Sequence, residues 1–116
     1  MAYTSSSRAL AILEMLVHVT LDSVPAEAVL VPIEIPDSII TTLGELPAGW
    51  NDLPWRPDAR RTGDKWIHEN SSVAMFVPSA VVPAEQNILI NPSHPDFSRI
   101  SVGQPEPHAF DRRLFR

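Results

Sequence analysis

Cysteine is absent from the 116-residue chain, and glycine is scarce at 4 residues. Without thiols there is neither a disulfide framework nor a thiolate zinc site, and a cytoplasmic protein is the default expectation. The four histidines (His18, His68, His94 and His108) show no metal-ligand spacing, so no metal is expected. Basic charge is also short, with 9 Lys and Arg against 14 Asp and Glu and a net charge of −5. That balance argues against nucleic acid or an anionic membrane surface as a direct partner. The only basic doublets, Arg60-Arg61 and Arg112-Arg113, read as solvated surface. Long apolar runs are missing as well. The stretch Ala9 to Val17 is interrupted by Glu14 and lacks a basic leader and a small-residue cleavage site, so it reads as neither membrane span nor signal peptide.

What the chain does contain is proline, 12 residues of it, and an apolar fraction of 44%. The length suits one small domain with a real core, built from short elements that stop abruptly. Two runs dominate. Val73 to Val77 is strand-like and halts at Pro78-Ser79; Asn87 to Ile90 is strand-like and halts at Asn91-Pro92-Ser93-His94-Pro95. The expectation is that both strands end at one sheet edge, so that their polar stops converge on a cleft, with Asn91 and His94 acting mainly as a clasp on the strand end. Ahead of them, Tyr3-Thr4 looks like the tail of a strand. One of Ser5, Ser6 or Ser7 caps a helix over Arg8 to Val19, apolar nearly all round its cylinder and hence expected between layers.

The remaining elements follow from alternation and punctuation. Val29 to Ile35 alternates as a half-buried strand that Pro32 assigns to an edge or bulge, and Ile39 to Leu43 reads as a short turn or helix closed by Gly44. Trp50 and Trp55 sit in a turn-dense stretch, and Asp58 caps a second helix running through Trp66 to Glu69. Further strands are expected at Ile100 to Val102 and Phe110 to Phe115. This order predicts an α+β fold with a mixed, mainly antiparallel sheet and flanking helices.

Glu14 is the residue that asks for chemistry. Set between Leu13 and Met15 on an apolar helix, it is paired, protonated or facing a cavity, or else it pairs with His18 one turn on at the surface. Phosphate-binding glycine loops, zinc-protease and nucleophile-elbow motifs are all absent. A Ser79/His94/Asp triad is a competing arrangement, although Pro78-Ser79 has no glycines to expose a nucleophile. One helix Glu, one strand-end Ser and a Tyr suit N-glycosidic chemistry better. Glu14 stabilises developing oxocarbenium charge and holds ribose hydroxyls, Ser79 orients the ribose or a carboxamide, and Tyr3 stacks on or bonds the ring.

The segments YTSSSRALAILEMLVH, LPAGW, GDKWI, VPSAVVPAEQNILINPSHPDF and FDRRLF resemble, in order and spacing from Tyr3 onward, the RES domain. The family takes its name from an Arg, a Glu and a Ser; Glu14 matches the Glu of its ALAxLE helix, Ser79 the Ser of its VPSAVVP strand end, and Tyr3 the tyrosine of its YTS strand. The resemblance implies an ADP-ribosyltransferase-like fold and the toxin of a bacterial toxin–antitoxin pair. It implies NAD+ as substrate, with no separate cofactor, degraded by hydrolysis or phosphorolysis, or used by some members to modify a protein. The partner it implies is an Xre-type antitoxin that covers the cleft in a hetero-oligomer. The family pattern begins with strands carrying a GGRWN-like segment whose Arg belongs to the site. No residue here corresponds to it, and Arg8, on the helix, does not take its place. The expectation is therefore a single RES-like domain over 1–116, incomplete at its N-terminus, with an antitoxin-binding remnant without catalysis as the alternative.

Overall fold

Residues 1–19, 27–42 and 64–115 are described by the structure, a computed structural model. Its centre is a four-stranded mixed sheet in the order β1 (Ala2–Ser5), β6 (Gln86–Ile90), β5 (Ala74–Pro78), β4 (Ile40–Thr42). β5 and β6 form an antiparallel hairpin with β1 antiparallel on its far side, and only β4 runs parallel to its neighbour β5. Helix α1 (Arg8–Leu16) follows β1 directly, and helix α2 occupies 64–69. β2 (Glu27–Leu30) pairs with β8 (Glu106–Ala109) and β3 (Ile33–Glu34) with β7 (Ser101–Val102), all antiparallel. The expected α+β architecture with a mixed, mainly antiparallel sheet is what forms.

Each face of the hairpin carries its own core. Val73 and Ala74 pack with Ile39, joined by Ile35, Ile40, Ile88 and Ile100, while Met75 and Leu89 pack with Trp66 of α2, joined by Ile67 and Val77. The alternation along β5 and β6 produces this division, because successive side chains point to opposite faces. Polar groups inside it are paired. The Trp66 indole donates to Ser72 Oγ at 2.8 Å, and Thr41 Oγ1 lies 2.8 Å from the same hydroxyl. Asn70 ends α2 at φ 53°, a left-handed conformation that asparagine tolerates, and its Oδ1 accepts from Asn91 Nδ2 at 2.7 Å.

Several expectations change. Of the short turn or helix expected here only a 3-10 turn at Asp37–Ile39 forms: the β-branched Ile40–Thr42 extend as β4 against β5, and Leu43 lies outside the described residues. The strand foreseen across Val29 to Ile35 breaks at Pro32, whose carbonyl accepts from Gly103 N at 2.7 Å. Leu30 faces Glu106 but Ile33 faces Val102, so the partner strand carries one extra residue and the ribbon is bulged there. A Cβ on Gly103 would come within 2.7 Å of Pro32 Cγ, which explains the glycine. Phe110 to Phe115 is not a strand, since Asp111 Oδ1 accepts from the Arg113 amide at 2.9 Å and starts a 3-10 turn over Arg112–Phe115. The Arg113 guanidinium and then its amide hold the Asp111 carboxyl below the usual carboxylate range. A further strand not foreseen is β8, just upstream.

Helix α1 is capped by Ser7, whose hydroxyl accepts from Leu10 N at 3.1 Å. It ends at Leu16, short of Val19, and only Leu10 of it is buried, with Leu13 39% and Val17 53% exposed. The helix therefore lies on the sheet rather than between layers. Trp50, Trp55, the Asp58 cap and Gly44 fall outside the described residues. No helix among the described residues is long and apolar enough to cross a membrane.

Because Leu89 is 4% exposed inside the Trp66 cluster, Leu89→Ala is expected to destabilise the protein by about 2–5 kcal/mol through lost transfer energy and a residual cavity. Val29→Ala, at a side chain 62% exposed, is expected to change stability by less than about 0.5 kcal/mol. Urea denaturation of both variants beside the unmodified chain measures the difference.

Candidate functional site

Antiparallel pairing of β5 and β6 decides which polar groups meet. Val77 faces Asn87 and Pro78 faces Gln86 at one end of the hairpin, while Ala74 faces Ile90 at the other. The two polar strand stops therefore lie at opposite ends, and the expected convergence of Ser79 with Asn91 and His94 does not occur. Asn91 and His94 form a clasp instead. Asn91 N donates to Val73 O at 2.8 Å, Asn91 Oδ1 accepts from Ser93 N at 3.1 Å, and His94 Nδ1 accepts from Asp96 N at 3.0 Å. A Ser79/His94 nucleophile–base pair is excluded by the same topology.

What meets Ser79 is Glu14. Pro78 ends β5, and the turn beyond it folds around the Ser79 hydroxyl, which accepts from Val81 N at 3.1 Å and Val82 N at 3.0 Å. The proton of that hydroxyl goes to Glu14 Oε1 at 2.5 Å. One donor and two acceptor positions are thus all used, and Ser79 has 0% exposure. Its connection to any ligand runs through Glu14.

The same carboxylate oxygen receives a second donor, Asn87 Nδ2 at 2.9 Å, and Asn87 Oδ1 in turn accepts from Ser5 Oγ at 2.8 Å. Ser5 and Asn87 are direct register partners across β1 and β6. Glu14 is half-buried, and among the described residues nothing bonds its second oxygen, Oε2. His18 is exposed and forms no ion pair with Glu14 among the described residues. Tyr3 lies two residues before Ser5, hence on the same sheet face, opposite Leu89 and 65% exposed. Its phenol has no hydrogen-bond partner among the described residues. The structure thus brings Glu14 and Ser79 into contact and places Tyr3 on the adjoining strand face.

Asn87 is the member that residue-type reasoning passed over. The sequence held a signal for it, a polar residue at the head of the apolar run Ile88-Leu89-Ile90, but only the folded structure reveals that it meets Glu14. Arg8 is committed elsewhere: its Nη2 reaches both carboxylate oxygens of Glu106 at 2.7 and 3.1 Å, tying the start of α1 to β8. Among the described residues no arginine touches Glu14. A separate concavity lined by Glu34, Ile35, Pro36, Arg99 and Ser101 contains none of the residues gathered around the carboxylate.

Ser79→Ala strips an acceptor from two amides and a donor from Glu14, and is expected to cost about 1–3 kcal/mol of folding stability, measurable by thermal or urea unfolding. The residues that make up this site lie within a longer match to known proteins. The sequence model of the RES domain matches residues 1–111. The chain is 38% identical over 119 residues to the Prs ADP-ribosylating toxin of Sphingobium sp. (strain YBL2), covering 98% of this chain and 74% of that protein. It is 41% identical over 115 residues to a Toxin Res of Yersinia enterocolitica, covering 97% and 76%. A Toxin Res of Photorhabdus laumondii is 36% identical over 117 residues, covering 98% and 75%. With its helix Glu and strand-end Ser in direct contact, and with this extent of similarity, the chain belongs to the RES domain family.

Proposed function

We propose that the domain is a toxin that consumes NAD+ by breaking the bond between nicotinamide and ribose. The observation that carries this reading is the state of Glu14. One carboxylate oxygen is held by two donors, the other is unbonded among the described residues, and the side chain is half-buried, with the exposed Tyr3 on the same sheet face as Ser5, whose hydroxyl bonds Asn87. A carboxylate fixed in this way meets a ligand with a single oriented oxygen. Because Ser79 and Asn87 already hold it, the carboxylate needs no reorganisation during reaction, which is the basis of preorganised electrostatic stabilisation.

In the proposed reaction the C1′–N bond of the nicotinamide riboside breaks and the leaving nicotinamide takes the electron pair, becoming neutral. Positive charge moves to the ribose ring as an oxocarbenium ion. Glu14 Oε2 accepts a ribose hydroxyl and lies close to that charge, and Tyr3 packs on or bonds the nicotinamide or ribose ring. An acceptor oxygen then joins C1′ and releases its proton to solvent. Water as acceptor gives free ADP-ribose, and phosphate gives its phosphorylated counterpart. Ser79 contributes by holding Glu14. The metabolic consequence is loss of NAD+, and the partner is an antitoxin, in the family pattern an Xre-type protein that covers the cleft.

A second acceptor is favoured by one observation, the 38% identity to a protein named as an ADP-ribosylating toxin. In that case a protein side chain takes the ADP-ribose. The two outcomes separate cleanly when the adenylate of NAD+ is labelled: label stays with small molecules in hydrolysis or phosphorolysis and enters protein in transfer.

Incubation of the purified chain with NAD+, followed by chromatography for nicotinamide, tests the shared step. Glu14→Gln keeps the shape but removes the charge, and is expected to lower release by about 10²–10³-fold, the scale of losing a principal electrostatic group. Equal release by both proteins rejects the assignment of Glu14. Tyr3→Ala is expected to raise KM for NAD+ several-fold with little change in thermal stability, since its ring is 65% exposed.

A further inference from the structure

Glu14 is fixed by Ser79 from the end of β5, but a single hydrogen bond leaves a carboxylate free to swing about it. The second restraint comes from Asn87, which is 8% exposed and donates from Nδ2 to the same oxygen at 2.9 Å. An amide can present either its NH2 or its carbonyl to a neighbour. An ionised carboxylate only accepts, so a reversed Asn87 would oppose two oxygens. The carboxylate therefore selects the orientation, and Ser5 holds the other end of the amide. Its hydroxyl donates to Asn87 Oδ1 at 2.8 Å, which places the carbonyl toward β1 and the NH2 toward α1. The register makes the contact obligatory, since Ser5 and Asn87 are direct cross-strand partners.

We infer that Asn87, held in place by Ser5, is a positioning residue that sets the angle of the Glu14 carboxylate and so directs Oε2 toward the ligand. This inference rests on the proposed NAD+ chemistry for its kinetic consequence, although the hydrogen-bonded relay itself does not. The relay passes from β1 through β6 to α1, three elements that meet nowhere else in one chain of side-chain bonds among the described residues. It also gives a use to the serine ahead of the helix cap: Ser7 holds the helix start, and Ser5 holds the amide.

Two measurements test it. In nicotinamide-release kinetics, Asn87→Ala is expected to lower kcat about tenfold with KM within about twofold, the loss of one charge-assisted hydrogen bond that matters in the transition state. Ser5→Ala is expected to lower kcat in the same direction, and Ser5→Thr, which keeps the hydroxyl, to restore it at equal thermal stability. Ser5 lies at a strand end, so this pair stays informative even where Asn87→Ala fails to fold. An unchanged kcat in Asn87→Ala, a loss confined to KM, or Ser5→Thr no better than Ser5→Ala overturns the inference. The second measurement needs no activity: the side-chain NH2 resonances of Asn87 are followed by 1H–15N NMR. Both Glu14→Ala and Ser5→Ala are expected to shift them and to speed their exchange with water, and no response overturns the relay. An unmodified chain that releases no nicotinamide rejects the proposed reaction, and the NMR result then decides the relay by itself.

Discussion

The hydrogen bond from Ser79 to Glu14 Oε1 is the contact on which the arrangement of the site depends. It joins a helix near the N-terminus to a turn that lies 65 residues away in sequence. A buried hydroxyl that already accepts from Val81 and Val82 amides can hardly move, so it transmits the rigidity of the β5–β6 hairpin to a carboxylate on a helix. The free energy of such a bond is modest, about 1.5–3 kcal/mol when one partner is charged. In the proposed reaction its effect exceeds that figure, because a misdirected carboxylate stabilises no developing charge.

Several elements are set by a single local signal in the sequence. Prolines stop β5 at Pro78 and follow Asn91 beyond β6, serine caps α1, and the apolar runs form the central hairpin. Glu14 was legible because a lone carboxylate on an apolar helix demands a partner. What failed was anything that depends on strand direction. A pair of strands that both end in polar residues looks like a cleft if parallel and like a clasp with a distant site if antiparallel, and the residue types are identical in the two cases. Asn87 was hidden for the same reason: its meaning lies in facing Ser5 and standing beside Glu14, contacts that span 82 and 73 residues.

A different physics governs the errors in the C-terminal third. Phe110 to Phe115 alternates like a strand, but the Asp111 carboxylate offers the Arg113 amide a closer partner than any ladder, and the turn forms. Pro32 signals an edge or a bulge in the sequence, and a bulge is there, but the break in the strand and the extra residue opposite it, with Gly103 beneath the proline ring, emerge only with β7 and β8 in place. Local side-chain competition for backbone groups and non-local strand count are the two influences that periodicity does not encode. The helix shows a third: α1 is apolar almost all round, yet it rests on the sheet surface with Leu13 and Val17 turned outward.

β1 has one more property of interest. It spans only Ala2–Ser5, and its sheet partners are Asn87 to Ile90. Few native contacts are formed across a longer stretch of chain. Closing that loop costs entropy which grows with the logarithm of its length, and nothing local repays it until β6 is already held by β5. The order of assembly is therefore hairpin first and β1 afterwards. The same order runs backwards when the protein opens: a four-residue strand on the outside of the sheet frays before the Trp66 and Val73 clusters loosen. Ser5 and Tyr3 ride on that strand, so the carboxylate loses its orientation in partly opened molecules whose core is intact. The orientation of the carboxylate is thus the last feature gained as the domain folds and the first lost as it opens.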